Sequence, residues 1–532
     1  MSLVSLQFFL FFPCVFLLYF LMPLKKRWVV LLVGSYVFYM ANSVKLTLFL
    51  LVTSLTTFYA ARRLDALNEE TSEYLAEHKA ELDRDAKKEY KAVQTGRKKR
   101  VLLAAVICNI GILCVLKYTD FIFRSLEQAV KFFGGEWHLP GISWLLPLGI
   151  SFYTFQAVGY VIDVYRGKYR ADRSLPQYML FVSFFPQMIQ GPISRHDQLA
   201  PQLYEGHRFD YTRVAMGFQL ILWGMIKKIV LADRLALAAG EIFDNYLNYA
   251  GLTMFVGAAI YGLQVYADFS GGMDMVRGIG QIFGIEMALN FERPYFAGSL
   301  AEFWRRWHIT LGAWMRDYVF YPVSLSKRFS RLGKKTKKWF GNQTGKMIPT
   351  FLAMFLTFML VGIWHGAAWK YVAYGFWNAV IISSSILLEP LYQKMAEKCH
   401  IDVTSGGWRV FQMVRTFFLC SLGRMFSRGL SLRAALVMMK SFFTVWNPQV
   451  LTDGTFLKMG LTVRDWILVF VLLLVLLIVG VFQERGIKIR ESVAKYPLAV
   501  RWTVYIGAFL LLLLFGMYGP GYSSAEFVYQ QF

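Results

Sequence analysis

Apolar residues follow one another in long uninterrupted stretches along most of this chain. A helix needs roughly 17–25 apolar residues to cross a bilayer, and we therefore predict an all-α polytopic membrane protein with about eleven to thirteen spans. The first stretch carries no small-residue cleavage site and is expected to be retained as a helix, not removed as a signal peptide. Examples of such stretches are residues 3–21, 101–116, 252–267, 348–363, 466–482 and 502–517.

Composition agrees with this class. Hydrophobic residues make up 56% and aromatic residues 17% of the 532 positions, and the mean hydropathy is +0.42. Soluble domains are about 45–50% apolar. The five cysteines show no paired spacing, so neither disulfides nor a metal site is predicted. The chain has no phosphate-binding loop and no hydrolase nucleophile motif, which argues against nucleotide-driven pumps and soluble hydrolases.

The net charge of +23, from 57 basic and 34 acidic residues, is concentrated between the apolar stretches. We therefore predict no nucleic-acid partner. Basic segments of a membrane protein face the cytoplasm, which places both termini of this multi-pass cell-membrane protein outside the cytoplasm. The basic segments are residues 25–27, 62–100, 166–173, 327–346 and 485–501.

Residues 62–100 form the one long hydrophilic insertion. Their dense mixture of acidic and basic side chains, with almost no Gly or Pro, is typical of a solvated helix or helical hairpin. We expect a charged cytoplasmic face, with a docking surface for a soluble donor protein as the alternative.

Two histidines lie in apolar, tryptophan-rich surroundings. His308 ends the run Phe-Trp-Arg-Arg-Trp-His, and His365 lies in an apolar run that begins near residue 348. An ionisable side chain at membrane depth is a functional-site hypothesis by default, and a neutral imidazole suits proton removal from a hydroxyl. The small residues 366–368 leave room for a substrate. The alternatives are a packing histidine at 365 and, around His308, an interfacial belt of Trp with snorkelling Arg.

Two carboxylates flank a Ser-Gly-Gly sequence inside another apolar stretch. Asp268 and Asp274 lie on either side of residues 270–272, and we predict that the apolar helix is interrupted there. Broken backbone at membrane depth is tolerated only beside protein or a wet cavity. The alternative is that Ser270 or Asp268 only caps the following helix.

These motifs together resemble the membrane-bound O-acyltransferase (MBOAT) superfamily, and within it the branch of the alginate O-acetyltransferase membrane subunit. The resemblance follows nearly the whole chain in order. Relatives often read Asp-Phe-Ser-Gly-Tyr-Ser-Asp where this chain has Gly272 and Met273 before Asp274, and Asn378 stands where a His is expected; these departures leave the acceptor open. The matching segments are residues 268–271, 290–295, 303–311, 314–318 and 364–369, with further matches at 150–156, 159–163, 190–193, 223–233 and 526–532.

The resemblance implies an MBOAT-type ring of about 11–13 transmembrane helices around a thinned central tunnel. In this view residues 1–532 form a single transmembrane domain. Within it we expect N-terminal membrane helices at 1–61, the charged cytoplasmic insertion at 62–100, a catalytic helical core at 101–390 and C-terminal membrane helices at 391–532.

The resemblance also implies the chemistry: an acyl group, acetyl in the first instance, passes from a cytoplasmic thioester to a hydroxyl presented from outside. His365 is expected to act as general base or to carry the acyl group briefly, and His308 to orient the thioester carbonyl or to stabilise its developing oxyanion. The thioester, acetyl-CoA or an acyl carrier, is a substrate, and no bound cofactor is expected. Supporting residues are Arg305, Arg306 and Trp307 as oxyanion donors, Asp268 and Asp317 as orienting or tunnel-shaping groups, and Trp364 and Asn378 as substrate-binding or supporting side chains.

The expected partners are membrane lipid, a cell-surface polysaccharide acceptor and a separate extracytoplasmic hydrolase-like acetyltransferase. One alternative is D-alanyl transfer to teichoic acid from a carrier protein. The other is a polysaccharide or lipid transporter without chemistry, in which the histidines gate or bind protons.

Overall fold

The computed structural model describes residues 1–138, 141 and 145–518, without the side chain of residue 343. Within these residues the regular structure is helical, with one isolated antiparallel bridge between Phe291 and Trp307. Seven described helices are long and apolar enough to cross a membrane, and the apolar helix Leu6–Leu21 is shorter. The all-α polytopic class is confirmed, whereas the number of spans stays a prediction. The C-terminal motif at 526–532 lies outside the described residues.

The helices are numbered in chain order. They are α1 Leu6–Leu21, α2 Arg27–Met40, α3 Thr47–Glu77, α4 Arg84–Phe132, α5 Ile150–Tyr165, α6 Leu175–Ser183, α7 His196–Tyr204, α8 Tyr211–Met225, α9 Asp233–Asp244, α10 Leu252–Phe283, α11 Leu300–Arg306, α12 Ile309–Met315, α13 Tyr321–Ser324, α14 Lys327–His365, α15 Trp369–Lys398, α16 Gly406–Arg428, α17 Leu432–Thr444, α18 Val463–Glu484, α19 Ile489–Val493 and α20 Leu498–Phe515. Two π-helical segments, Ile226–Ala232 and Arg316–Phe320, interrupt this series.

The chain divides into two compact units. The first comprises Met1–Phe218 and Val276–Ala288, and the second comprises Gln219–Met275 and Leu289–Phe532. In the first unit the charged residues 62–100 form the end of α3 and the start of α4, joined by a short turn. Asp83 caps α4 by accepting a hydrogen bond from the Ala86 N–H at 2.7 Å, and the rings of Tyr74 and Tyr90 stack across this helical hairpin.

Burial separates interior helices from those with largely exposed apolar faces. In the most apolar stretch of α10, 67% of the residues are buried, whereas the value for α20 is 6%. Leu474 on α18 and Leu514 on α20 are examples of exposed leucines on such apolar faces. Apolar faces of this kind are stable against lipid tails. α10, in contrast, is surrounded by protein and can carry polar side chains.

The predicted interruption of the apolar helix at 270–272 is wrong. α10 runs without a break from Leu252 to Phe283. Its glycines serve close helix packing instead, because a Cβ at Gly271 would lie 2.7 Å from the carbonyl oxygen of Gly224 and a Cβ at Gly224 would lie 2.5 Å from that of Gly271. Small residues that let two backbones approach are a common packing device of membrane helices.

Candidate active site

His308 lies between α11 and α12 with its backbone in the left-handed region, at φ 48° and ψ 51°. A non-glycine residue in this region is uncommon and worth attention. The side chain is completely buried, and the Phe269 ring meets the imidazole edge to face at 4.9 Å. Such conformations persist only where the surrounding structure fixes them, and they cluster at functional sites.

Asn290 provides that fixation. Its side-chain Oδ1 accepts hydrogen bonds from the Thr310 N–H at 3.0 Å and from the Thr310 hydroxyl at 2.9 Å, and its backbone carbonyl accepts from the Ile309 N–H at 3.0 Å. Because Oδ1 is an acceptor, the His308 Nδ1 at 3.3 Å must be the donor. This hydrogen bond selects the tautomer that leaves the lone pair on Nε2.

His365 ends α14, and the chain then passes through an extended Gly366 before α15 begins. A Cβ at Gly366 would lie 2.3 Å from the Tyr371 ring, so this position requires glycine. The Trp364 ring contacts both imidazoles, with centroid distances of 5.7 Å to His308 and 5.1 Å to His365. The structure thus brings together the two histidines that are 57 positions apart in the chain.

Burial favours the neutral form of the His308 ring. His308 lies outside the candidate spans, and burial lowers its pKa well below the usual range, with a further lowering by the nearby His365. A neutral imidazole can accept a proton, whereas an imidazolium cannot. The two rings therefore form a pair in which protonation of one disfavours protonation of the other.

Asp268 pairs with a buried lysine. Its carboxylate accepts a hydrogen bond from Lys228 Nζ at 2.6 Å, and Lys228 also pairs with Asp233 at 2.9 Å. A π-helical segment carries both neighbouring lysines, a feature that often marks functional sites. We refer to these buried charges as the lysine–carboxylate cluster, which comprises Lys227, Lys228, Asp233, Asp268 and Asp274.

The structure shows the surroundings of three other predicted residues. The Arg305 side chain is exposed. Arg306 forms an ion pair with Glu302 at 2.9 Å. Asp317 forms one with Arg316 at 2.8 Å in the second π-helical segment. Neither of these two ion pairs involves an imidazole.

Asn378 and Trp307 support the site from its edges. Asn378 accepts a hydrogen bond from Trp304 Nε1–H at 2.9 Å and donates to the Tyr374 carbonyl at 2.9 Å. Trp307 is buried, and the guanidinium of Arg424 lies over its ring at 4.9 Å. Asn378 thus fixes the Trp304 ring, and Trp307 packs against a buried guanidinium.

Sequence reasoning missed three buried polar residues. Asn290 lies in a segment that carries the family resemblance but was not assigned a role. Lys228 lies in the apolar stretch 218–235, and Arg424 lies in the apolar stretch 417–426. An ionisable side chain in such a stretch is a signal by the same rule that singled out His365, and that rule finds both.

Comparison with known proteins agrees with this geometry. The profile of the MBOAT, membrane-bound O-acyltransferase family matches residues 132–337, an interval that includes His308. The chain is 31% identical over 467 residues to the probable alginate O-acetylase AlgI of Pseudomonas aeruginosa, covering 87% of this chain and 79% of that protein. It is 30% identical over 365 residues to the peptidoglycan O-acetyltransferase of Helicobacter pylori, covering 64% of each.

A third relative is named for a different activity. The teichoic acid D-alanyltransferase of Bacillus subtilis is 30% identical over 261 residues, which cover 46% of this chain and 60% of that protein. All three relatives carry an acyl-transfer activity in their names, and the similarity to the first extends over most of both chains. The apolar helices, the buried histidine pair and these similarities lead to one conclusion: the chain belongs to the MBOAT family and is a multi-pass membrane O-acyltransferase.

Proposed function

We propose that this enzyme transfers an acetyl group from a cytoplasmic thioester to a hydroxyl of an extracytoplasmic polysaccharide, directly or through a partner acetyltransferase. The observation that carries the proposal is the buried pair His308 and His365 on either side of Trp364. The alginate and peptidoglycan O-acetylases among the relatives support the acetyl group and the polysaccharide class. Membership of an enzyme family removes the reason to retain a transporter without chemistry.

In the proposed reaction His365 is the general base. Its imidazole takes the proton of the acceptor hydroxyl while the hydroxyl oxygen forms a bond to the thioester carbonyl carbon. The C–S bond then breaks, and the thiolate receives the proton from the imidazolium. His308, whose Nδ1 donates a hydrogen bond to Asn290, orients the donor beside Trp364.

Topology and partners belong to the same proposal. The basic segments 25–27 and 327–346 place the donor side in the cytoplasm by the positive-inside rule and both termini outside. Because the chain resembles the membrane subunit of an acetylation system, we propose a separate surface acetyltransferase that receives the acetyl group or presents the acceptor.

A second candidate is D-alanyl transfer to teichoic acid. It is favoured by the similarity to the Bacillus subtilis D-alanyltransferase and by the charged α3–α4 hairpin, which offers a surface for a carrier protein. It differs from the first candidate in the donor, because a charged carrier protein replaces acetyl-CoA. The donor therefore separates the two.

The test is ester formation in membranes from cells that express this chain with its genomic neighbours. Labelled acetyl-CoA is compared with a D-alanyl-charged carrier, and wild type with His365→Ala. General-base catalysis contributes about 10²–10⁴-fold, so His365→Ala should lower transfer by about that factor at unchanged expression. His138→Ala is the matched control, because this imidazole is exposed and pairs with Glu127 at 3.1 Å.

The outcomes separate the candidates. Label on surface polysaccharide from acetyl-CoA, lost in His365→Ala and kept in His138→Ala, supports the proposal. Ester formed only from the charged carrier favours D-alanyl transfer. Unchanged acetyl transfer by well-folded His365→Ala would remove His365 from the mechanism.

A further inference from the structure

Arg424 is a buried cation that has no counter-ion among the residues the structure describes. Its side chain lies on α16 and is 5% exposed. Within residues 1–138, 141 and 145–518, no carboxylate lies within ion-pair distance of its guanidinium. A guanidinium keeps its charge under all ordinary conditions, and burying an uncompensated charge costs several kcal/mol. A position of this kind calls for an explanation.

The groups around Arg424 are aromatic and neutral. Its Nη2 donates a hydrogen bond to the Tyr295 hydroxyl oxygen at 3.3 Å, and that hydroxyl donates to the Gly262 carbonyl at 2.6 Å. The guanidinium lies over the Trp307 ring at 4.9 Å. The ionisable groups that face it are Tyr261, Tyr295, Tyr374 and Cys420, all of which are neutral near pH 7.

α10 leaves room for the guanidinium at Gly262. A Cβ there would lie 3.0 Å from Arg424 Nε and 3.2 Å from its Cδ, which is tighter than ordinary contact. The side chain is therefore seated between α10 and the Trp307 ring, with its position fixed by packing and by Tyr295. A guanidinium that packing holds in one position before a ligand binds is a preorganised hydrogen-bond donor.

Two of the aromatic side chains around Arg424 are linked to the histidines. Trp307, under the guanidinium, immediately precedes His308 in the chain. Tyr374, which faces the guanidinium, meets the His365 ring at 5.6 Å. Arg424 thus lies over the residue that precedes His308 and faces a ring that contacts His365. The sequence suggested Arg305 and Arg306 as donors to the oxyanion. In the structure the Arg305 side chain is exposed, and Arg306 forms an ion pair with Glu302.

We propose that Arg424 is a catalytic residue that binds the carbonyl oxygen of the acyl donor and stabilises its negative charge during transfer. The proposal rests on the proposed thioester chemistry. When the acceptor oxygen bonds to the carbonyl carbon and gives its proton to His365, the π electron pair of the carbonyl moves onto the carbonyl oxygen. That oxyanion accepts hydrogen bonds from the N–H groups of Arg424, and no proton passes from Arg424 to the oxyanion. Its collapse restores the carbonyl and expels the thiolate, which takes the proton from His365.

Among the described residues no carboxylate pairs with Arg424, and this suits the proposed role. A nearby Asp or Glu would neutralise the guanidinium in the resting enzyme and weaken its attraction for the oxyanion. Aromatic faces hold a guanidinium by cation–π attraction of modest strength. They leave most of its charge available when negative charge develops.

The experiment measures kcat and KM for acetyl-CoA in membranes containing the full chain and its partners. Two variants are compared with wild type. Arg424→Met keeps a long side chain but removes the charge, and Arg424→Lys keeps the charge but removes the planar guanidinium. Arg428→Met is the matched control one turn along α16, where the guanidinium pairs with Asp244 at 3.0 Å. The amount of folded protein is measured for each variant by size-exclusion chromatography in detergent.

Loss of one oxyanion donor costs about 10²–10³-fold in kcat. We expect Arg424→Met to lose about that factor in kcat with KM changed less than about threefold, Arg424→Lys to recover part of it, and Arg428→Met to stay near wild type. A rise in KM alone would overturn the proposal in favour of a charged substrate group as the ligand. Wild-type kcat in Arg424→Met, or loss of folded protein in both Arg424 variants, would also overturn it.

Failure of the proposed donor is separable from failure of this inference. If wild type uses a D-alanyl-charged carrier but not acetyl-CoA, the acetyl assignment is wrong. The Arg424 variants are then measured with that carrier, whose thioester has the same carbonyl group. The same split between kcat and KM decides the role of Arg424.

Discussion

The lysine–carboxylate cluster and Arg424 are both buried and charged, but their charges have different surroundings. Lys228 pairs with Asp268 and Asp233 at 2.6 and 2.9 Å, and Lys227 with Asp274 at 2.8 Å. Arg424 has aromatic rings and a tyrosine hydroxyl instead. The first arrangement satisfies its own charges, whereas the second keeps a cation available for a ligand.

This difference gives a criterion for the roles of buried charges. A cation that is already paired with an anion attracts a ligand's negative charge less strongly, because the potential of the nearest anion opposes its own. A residue such as Lys228 therefore stabilises a particular arrangement of α10 and the π-helical segment. Arg424 is expected to contribute little to stability and much to the reaction.

The largest effect on stability is expected from Lys228→Met. The substitution leaves Asp268 and Asp233 buried without their cation, and breaking a buried pair costs about 3–5 kcal/mol. We expect a large fall in the thermal midpoint of the detergent-solubilised protein, followed by intrinsic tryptophan fluorescence. The double variant Lys228→Met/Asp268→Leu should recover part of the loss, because one stranded carboxylate is gone. Equal stability of the single and double variants would contradict this role.

Asn290→Ala should affect the histidine side of the comparison. The substitution removes the acceptor for the Thr310 N–H and hydroxyl and for His308 Nδ1, each loss costing about 1–3 kcal/mol if the donor stays buried. A misplaced imidazole lowers the rate by about 10²-fold, measurable as acyl transfer per folded molecule. Asn290→Asp keeps an acceptor oxygen and should retain more activity. Wild-type activity in Asn290→Ala would show that the hydrogen bond is dispensable.

Gly271→Ala tests the helix contact beneath the lysine–carboxylate cluster. The new Cβ would lie 2.7 Å from the Gly224 carbonyl oxygen, and overpacking of this kind costs about 1–3 kcal/mol. The thermal midpoint is again the measurement. Gly406→Ala is the control, since a Cβ there meets nothing within 4 Å and alanine favours a helix. If both variants have the same midpoint, the close contact does not constrain the fold.

The smallest effect on stability is expected from Arg424→Met. Replacing a buried uncompensated charge by an apolar side chain is often neutral or stabilising, so the thermal midpoint should stay the same or rise while activity falls. The comparison with Lys228→Met is then direct, because both substitutions place methionine at a buried cation. A loss of stability as large as that of Lys228→Met would place Arg424 among the structural charges.

Much of the fold followed from local pattern. The apolar stretches predicted the membrane helices, and the rule on ionisable residues at membrane depth singled out His365. The same reasoning failed at residues 270–272, where Ser-Gly-Gly suggested a break and the structure has continuous α10. Glycine permits both outcomes, and the choice depends on Gly224, 47 positions away.

The sequence by itself determined the membrane class, the helical content and the two histidines worth testing, because each depends on properties of neighbouring residues. Only the tertiary structure decided which charges have partners. Lys228 and Asp268 are 40 positions apart, and Arg424 and Tyr295 are 129 apart. A side chain's electrostatic role depends on the groups within a few ångströms of it, and those groups are set by packing between helices and not by order along the chain.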